Sequence, residues 1–301
     1  MNISDHLTRY HKIEDQLYLG DIKAALDADT LKTENIQLVV TLLPFDIEAN
    51  KVPGMTYHQI RLNDDPNEEV LTYFPQTFRI ISEAQKSGKN VLVHCYVGVS
   101  RSATFVIAFL MNKHKKPYKE IRNRVEEIRK KINPNEGFVR QLILYEQIGF
   151  KIDANNKKLR QYFLETILFN KDINNSIDRY FQKMVLLERV SENEVVLGRS
   201  YLCYKCGYNI CNEINIIKKT NMNTDKTCAI VYIEARDWMR EKIFDIFTSE
   251  KKSSHLYASC PSCKEIVVSF RQDFKSYKCD CDQHKRLKCL YFVLRESKFK
   301  V

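Results

Sequence analysis

The sequence has no apolar run long enough to cross a bilayer, since the longest, around Ala103–Met111, falls well short of the roughly 20 residues required. The amino terminus, Met1-Asn-Ile-Ser-Asp-His, lacks the apolar core of a secretory signal peptide. Internal repeats are absent, and so are low-complexity segments beyond scattered Asn and Lys. These absences argue against a membrane, secreted or repeat protein. We therefore expect a soluble intracellular protein whose thiols stay reduced.

In a reducing compartment the ten cysteines need a role other than disulfide formation. Cys95 stands alone, and the other nine lie between Cys203 and Cys289. Two C-x-x-C pairs and one C-x-C pair among these nine have the spacing of zinc ligands. The groups are Cys203-Tyr-Lys-Cys206, Cys228, Cys260-Pro-Ser-Cys263 and Cys279-Asp-Cys281.

We predict two structural zinc ions in this part of the chain. Tetrahedral structural sites take four ligands each, so two ions need eight, and the four groups supply seven. The eighth ligand is left open among Cys211, His255, His284 and Cys289. Residues 151–301 hold 28 Lys and Arg against 19 Asp and Glu, an excess that zinc-bound thiolates would partly offset. The remaining basicity is a weak indication of a nucleic-acid or ribonucleoprotein partner.

The length favours about two domains, each large enough for a core. In residues 1–150, predicted strands alternate with predicted helices, which favours an α/β fold with a mostly parallel central sheet flanked by helices. The strands are Gln16–Gly20, Gln37–Leu43, Tyr57–Leu62 and Val91–His94, and the helices are Ile22–Leu31, Tyr73–Ser87, Ser102–Met111, Tyr118–Lys131 and Phe138–Ile148. Residues 151–198 are predicted to form a helical connector, and residues 199–301 a small cysteine-rich, zinc-binding domain.

Residues 91–104 carry the chemistry of the first domain. A buried strand leads into a loop, and an apolar helix follows. Such a loop directs backbone N–H groups and the positive end of the helix dipole at an anion. Gly98 allows a tight curve, and Arg101 offers a planar fork to two phosphate oxygens. Cys95 within this cradle should be a thiolate at neutral pH, which places a nucleophile beside a phosphate site.

The pattern His-Cys-x-x-Gly-x-x-Arg-Ser in residues 94–102 resembles the signature of the cysteine-dependent protein phosphatases. The longer order Val-His-Cys-x-x-Gly-x-Ser-Arg-Ser resembles that of their dual-specificity branch. The resemblance implies that the Cys95 thiolate attacks phosphorus and forms a cysteinyl-phosphate. The substrate-binding residues that it implies are Tyr96, Val97, Gly98, Val99, Ser100 and Arg101.

The leaving oxygen also needs a general acid. The loop Leu62-Asn-Asp-Asp-Pro66 supplies two carboxylates. In the family the acid precedes the nucleophile, after a strand and a hydrophobic-Asn/Ser pair. Asp64, 31 positions before Cys95, matches that place, and Asp65 is the alternative.

Three further residues have roles that the resemblance implies. Ser102 can donate a hydrogen bond to the sulfur and help it leave. His94 orients the loop by hydrogen bonds rather than acting as a base. Asn135 lies in a segment that braces the loop in the family, and a plain turn role is an equal alternative.

The side chains of the loop also indicate a substrate class. Tyr96, Val97 and Val99 carry no charge, whereas phosphatases of polyphosphorylated inositol lipids place Lys or Arg there. Asp64 argues against RNA 5′-triphosphatases, whose similar loop has no matching acid. The deep phosphotyrosine-capping loop of strict tyrosine phosphatases has no counterpart. A shallow pocket would admit phosphoserine, phosphothreonine and phosphotyrosine.

The two halves together resemble the zinc-binding dual-specificity phosphatases of the dual-specificity phosphatase 12 type. The segment Cys228-Ala-Ile-Val-Tyr-Ile-Glu-Ala-Arg-Asp-Trp-Met239 is similar to that subfamily's Cys-x-x-x-Phe-Ile-Glu-Pro-x-x-Trp-Met. We call each C-x-x-C pair a knuckle. The subfamily has a His after the first knuckle that is absent here, and we predict Cys211 as its substitute. Asp282 stands where the subfamily has a glycine after the C-x-C pair.

The resemblance implies a cytoplasmic and nuclear protein phosphatase that needs no cofactor for catalysis and binds partners through its zinc module. The alternative is an assembly factor of the large ribosomal subunit, acting through the zinc domain on a pre-ribosomal or RNA–protein partner. An inactive phosphate-binding module is disfavoured because the catalytic set is complete. No membrane partner is expected.

Overall fold

The computed structural model describes residues 8–169, 173–219, 230–243, 256–270, 292–295 and 299–300. The chain divides into two compact units, Met1–Ile152 and Asp153–Val301. Within the described ranges, no helix has both the length and the apolar character needed to cross a membrane. The residues singled out above that fall outside those ranges, and whose roles stay predictions, are Cys228, His255, Cys279, Cys281, Asp282, His284 and Cys289.

The first unit is built on a five-stranded sheet. Its strands are β1 (Tyr10–Glu14), β2 (Leu17–Gly20), β3 (Ile36–Leu42), β4 (Thr56–Ile60) and β5 (Asn90–His94). Their order is β1-β2-β5-β3-β4, in which β1 pairs antiparallel with β2 and the other pairs are parallel. The nearly continuous apolar sequences of β3 and β5 suit their inner positions, because a strand covered on both faces needs no polar alternation.

Helices cover this sheet on both faces. They are α1 (Ile22–Ala25), α2 (Ala28–Thr33), α3 (Phe74–Lys86), α4 (Arg101–His114), α5 (Tyr118–Ile128) and α6 (Glu136–Gln147). Tyr18, Val39 and Leu92, from three neighbouring strands, pack in one cluster with buried residues of α1 and α2. α3 and α4 also contact β5, whose residues 91–93 are buried on both sides. This arrangement confirms the predicted α/β class.

The helix that follows the cysteine loop is held firmly. Residues 101–111 of α4 are all buried. Phe74 of α3 packs edge to face against Phe105 of α4 and against Tyr145 of α6, with ring centroids 5.2 Å apart in both pairs. Aromatic contacts of this kind add to the stabilisation from buried area. They fix the start of α4, where Arg101 lies, against the rest of the unit.

The second unit combines two helices with two antiparallel sheets. Its elements are α7 (Lys157–Phe169), α8 (Ile173–Val190), β6 (Ser200–Cys203), β7 (Asn209–Asn212), β8 (Ile216–Lys219), β9 (Ile230–Ile233), β10 (Leu256–Ser259), β11 (Ile266–Phe270), β12 (Phe292–Arg295) and β13 (Phe299–Lys300). One sheet has the order β10-β11-β12-β9-β8 and the other β13-β6-β7.

The segment predicted as a connector, residues 151–198, contributes α7 and α8 to this unit. Arg160 of α7 is buried and forms an ion pair with the buried Glu234, in which Nε and Oε2 are 3.0 Å apart. The Asn215 side-chain amide donates to the same carboxylate at 2.6 Å. Removal of either charge would leave the other buried and uncompensated, so this network ties α7 to the end of β9.

Candidate functional site

The cysteine loop joins the end of β5 to the start of α4. Cys95 is buried and receives two hydrogen bonds on its sulfur, from the Gly98 backbone N–H at 3.3 Å and from the Ser102 hydroxyl at 3.2 Å. Hydrogen bonds donated to a sulfur stabilise its negative charge. The structure therefore brings together the predicted nucleophile, the turn of the loop and the predicted sulfur donor.

Gly98 is required at the turn of this loop. Its φ is +71°, in the left-handed region that favours glycine. A Cβ atom at this position would lie 2.5 Å from the Gly20 carbonyl oxygen and 2.6 Å from the Arg129 guanidinium. The loop is therefore packed against β2 and Arg129 with no room for a side chain.

Arg129 is a component of the site that the sequence did not reveal. Its side chain is fully buried, and Nε donates to the Gly98 carbonyl oxygen at 2.9 Å. One terminal nitrogen donates to Nδ1 of His11 at 2.9 Å. Burial lowers the pKa of Arg129, and the negative charge of Asp21 opposes that effect. Residues 126–131 are all charged except Ile128, which is typical of a solvated helix face, so no local signal distinguished this buried arginine.

Arg101 is the first residue of α4, directly after the cysteine loop. The residue is buried, and one terminal nitrogen donates to the Leu62 carbonyl oxygen at 3.3 Å. Its Nε lies 3.8 Å from Oδ2 of Asp64. Among the described residues, this buried Nε has no hydrogen-bond partner. Because a buried donor needs an acceptor, the geometry suits a phosphate oxygen at this position.

The two candidate acids differ in what their carboxylates contact. Oδ1 of Asp64 accepts from the Ser100 hydroxyl at 2.6 Å and from the Asn135 amide at 2.9 Å. Oδ1 of Asp65 instead accepts from the Asn67 backbone N–H at 2.7 Å, inside its own turn. The Asp64 side chain faces the cysteine loop and is 38% exposed, which leaves it accessible to substrate. The arrangement favours Asp64 over Asp65 as proton donor.

Asn135 links three parts of the site. Its backbone N–H donates to the Ser100 hydroxyl at 3.0 Å, and its side chain donates to Asp64. Its side-chain oxygen also accepts from the Phe138 N–H at 3.0 Å, which caps the amino terminus of α6. Asn135 therefore joins the cysteine loop and Asp64 to the start of α6, which is the place that the predicted brace would occupy.

The acid loop is also held by two residues of α6 that the sequence did not reveal. A Cβ at Gly137 would lie 1.8 Å from the Pro66 carbonyl oxygen, so the helix backbone touches the loop directly. The buried amide of Gln141 accepts from the Val70 N–H and donates to the Glu68 carbonyl, both at 2.8 Å. The residues in contact are about 70 positions apart in the sequence, so no local sequence pattern predicts these contacts.

His94 is buried, and its ring is fixed by two hydrogen bonds. Nδ1 lies 3.2 Å from the Cys95 carbonyl oxygen and Nε2 lies 2.8 Å from the Thr41 hydroxyl. Because a carbonyl oxygen only accepts, Nδ1 carries the proton and Nε2 accepts from Thr41. Burial lowers the pKa of His94 to about 4, so the ring is neutral near neutral pH. A neutral ring held at both nitrogens orients the loop and is a poor base.

Comparisons with known proteins agree with this geometry. Residues 17–148 match the family model for the dual specificity phosphatase catalytic domain. Tyrosine-protein phosphatase yvh1 of Schizosaccharomyces pombe is 25% identical over 292 residues, which cover 93% of this chain and 82% of the relative. Dual specificity protein phosphatase 12 of Homo sapiens is 23% identical over 294 residues, which cover 90% and 83% respectively.

A shorter match is closer in sequence. Dual specificity protein phosphatase 1 of Arabidopsis thaliana is 36% identical over 130 residues, which cover 43% of this chain and 65% of the relative. The chain contains a dual specificity phosphatase catalytic domain. It is an enzyme of the protein-tyrosine and dual-specificity phosphatase class, and its first unit contains the catalytic domain of that family. The two longer matches extend this likeness through the second unit.

The second unit of this phosphatase brings four of the predicted metal ligands together. The sulfur atoms of Cys203, Cys206, Cys260 and Cys263 all lie within 4.8 Å of one another. The cross-knuckle pairs Cys203–Cys263 and Cys206–Cys260 have sulfur distances of 3.7 and 3.6 Å. A tetrahedral ion with bonds of about 2.3 Å to sulfur separates its ligands by about 3.8 Å. The first and second C-x-x-C pairs could therefore hold one zinc ion between them.

The two knuckles have the same backbone geometry. The N–H of the residue after each pair, Gly207 or Lys264, donates to the carbonyl of the first cysteine at 2.9 or 3.0 Å. Both residues have positive φ, +77° and +62°. The Tyr208 N–H donates to the Cys206 sulfur and lowers the pKa of that thiol.

Cys211 lies outside this group of four. It is buried in β7, opposite Tyr201 of β6. The other members of the second predicted zinc site fall outside the described residues. Its role as the eighth ligand therefore stays a prediction.

Proposed function

We propose that this phosphatase hydrolyses phosphotyrosine, phosphoserine and phosphothreonine in proteins through a cysteinyl-phosphate intermediate on Cys95. The observation that carries the proposal is the buried sulfur with two hydrogen-bond donors, set at the amino terminus of α4. That position sets the sulfur and its two donors beside the backbone N–H groups and the dipole that bind an anion. The uncharged side chains of Tyr96, Val97 and Val99 favour a protein substrate over a polyphosphorylated lipid.

In the first step the Cys95 thiolate attacks phosphorus, and a sulfur–phosphorus bond forms as the bond to the substrate oxygen breaks. Arg101 and the loop N–H groups stabilise the charge on the phosphoryl oxygens. Asp64 transfers its proton to the departing oxygen, which leaves as the free hydroxyl of the product.

In the second step a water molecule attacks phosphorus while Asp64, now a carboxylate, accepts its proton. The sulfur–phosphorus bond breaks and inorganic phosphate is released. The Ser102 hydroxyl, 3.2 Å from the sulfur, donates to the thiolate as it reforms. Asn135 and Ser100 keep the Asp64 carboxylate in reach for both proton transfers.

A pH–rate profile for hydrolysis of an unsubstituted aryl phosphate, whose weakly acidic phenol leaving group needs a proton, tests the mechanism. Asp64→Asn should lose the basic limb of the profile and lower kcat/KM by about 10² to 10⁴, the usual contribution of a general acid. Asp65→Asn is the matched control. It should keep both limbs of the profile, because the Asp65 carboxylate accepts a hydrogen bond within its own turn. If zinc-replete wild type showed no turnover, the proposed phosphatase mechanism would be wrong. If Asp64→Asn left the profile unchanged, Asp64 would not be the general acid.

We further propose that the second unit holds two zinc ions and binds partners of the phosphatase in the cytoplasm and nucleus. The cysteine cluster and the net charge of +9 in residues 151–301 support this proposal. The alternative proposal is assembly of the large ribosomal subunit through this unit, with catalysis secondary. Replacement of Cys95 by Ser in cells separates the two, since loss of the cellular role supports the enzyme and retention supports the assembly factor.

A further inference from the structure

Two exposed aromatic rings lie beside the cysteine loop. Phe45 is 47% exposed and Tyr96 is 56% exposed, and their ring centroids are 6.5 Å apart at an angle of 79°. We call Phe45 and Tyr96 the aromatic shelf. Single exposed apolar residues are ordinary, whereas two exposed rings packed edge to face beside a catalytic loop form an apolar surface that a substrate can cover.

The sheet topology places the shelf at the active site. β3 and β5 are parallel neighbours, Phe45 follows the end of β3, and Tyr96 follows the end of β5. Ligands of such sheets bind beyond the carboxyl ends of the strands. Tyr96 is also the residue directly after the nucleophile Cys95. The shelf therefore lies at the edge of the sheet from which a substrate must reach the sulfur.

The backbone of the shelf is anchored on both sides. The Gln59 side-chain amide donates to the Phe45 carbonyl oxygen at 2.6 Å. The Ile22 N–H donates to the Tyr96 carbonyl oxygen at 3.3 Å. A pre-positioned apolar surface loses little conformational entropy when a ring packs on it.

We propose that the aromatic shelf binds the phenyl ring of phosphotyrosine, and that Phe45 and Tyr96 make the enzyme prefer phosphotyrosine over phosphothreonine. This inference rests on the proposed function. In phosphotyrosine the atoms next to the bridging oxygen form an aromatic ring, which can meet the shelf edge to face or offset. In phosphothreonine only the β-carbon and its methyl group reach that position. The shelf thus favours one member of the substrate class without excluding the other.

The test uses two phosphopeptides identical except for phosphotyrosine or phosphothreonine at one position. For the full-length enzyme, the ratio of their kcat/KM values is measured in wild type, Phe45→Ala and Tyr96→Ala. We expect each substitution to lower the ratio by about three- to tenfold, mainly through a higher KM for the phosphotyrosine peptide. Tyr96→Phe should keep the wild-type ratio because it retains the ring.

Ile143→Ala is the matched control, since Ile143 is an apolar residue that is 40% exposed and belongs to α6 rather than to either loop that carries the shelf. It should keep the wild-type ratio. Equal losses for both peptides in Phe45→Ala and Tyr96→Ala would overturn the inference, as would an unchanged ratio in both. Failure of the proposed function is distinguishable, because wild type would then hydrolyse neither peptide.

Discussion

At the scale of single residues, Gly137 positions the acid by having no side chain. We expect Gly137→Ala to push the α6 backbone away from Pro66, because its Cβ would lie 1.8 Å from the Pro66 carbonyl oxygen. Overpacking of this kind costs about 1–3 kcal/mol of stability, and it would also move Asp64. The kcat for an alkyl phosphate, whose leaving group needs a proton, should fall by about tenfold or more.

Comparing two leaving groups distinguishes displacement of Asp64 from a general loss of the active fold. An aryl phosphate with an acidic leaving group needs little protonation and should be much less affected by Gly137→Ala. The neighbouring Glu136→Ala, at an exposed position, should leave both substrates unchanged. Equal losses for the two substrates in Gly137→Ala would show that the glycine supports the fold and not the placement of Asp64.

His94 makes the stability of the chain depend on pH. Burial lowers its pKa to about 4 in the folded protein, below the ordinary value of 6.5, so protons bind the unfolded chain more readily. The stabilisation is present above pH 6.5 and is lost as the pH falls towards 4. At about pH 5 the expected loss is about 2 kcal/mol. Denaturant titrations at several pH values should show this pH-dependent loss of unfolding free energy in wild type and not in His94→Gln. The same pH dependence in both proteins would contradict the prediction.

At the scale of the elements, the sequence predicted β2, β3 and β5 and the helices around them because their apolar patterns are strong. It missed β1, an edge strand in which only Ile13 is buried. It also merged α1 and α2 into one helix, whereas Asp27 caps the start of α2 by accepting from the Asp29 N–H. Arg129, Gly137 and Gln141 act across long sequence separations, which local patterns do not encode.

The pairing of the two knuckles gives a prediction about zinc content. Cys203→Ser and Cys260→Ser should each release the same ion, because the two knuckles share one group of four sulfurs. Each variant should therefore lose about one zinc per chain and lower the stability of the second unit. The measurement is zinc analysis of the purified protein alongside thermal unfolding. Cys211→Ser should leave this ion bound, and any zinc that it loses would belong to the second predicted site.

If Cys203→Ser and Cys260→Ser together released twice as much zinc as either alone, the knuckles would hold separate ions. That outcome would contradict the shared site. The double variant therefore serves as the control on the pairing.

At the scale of the whole molecule, the catalytic groups and the zinc cluster belong to different compact units. Cys95, Asp64, Arg101 and Arg129 lie within residues 1–152, and the four clustered cysteines lie within residues 153–301. In the part of the chain that the structure describes, the first unit has one sheet and the second has two, and each unit has its own buried side chains. Units with separate cores can in general fold independently.

Catalysis on a small substrate should therefore survive loss of the second unit. Residues 1–152 alone should hydrolyse an aryl phosphate with a kcat/KM within about threefold of the full chain, because small substrates contact only the catalytic loop. Removal of zinc from the full chain by a chelator should likewise spare this activity while it abolishes the unfolding transition of the second unit. Cys95→Ser in the short chain controls for contaminating phosphatase. A loss beyond tenfold in residues 1–152 that folded correctly would mean that the second unit shapes the catalytic loop.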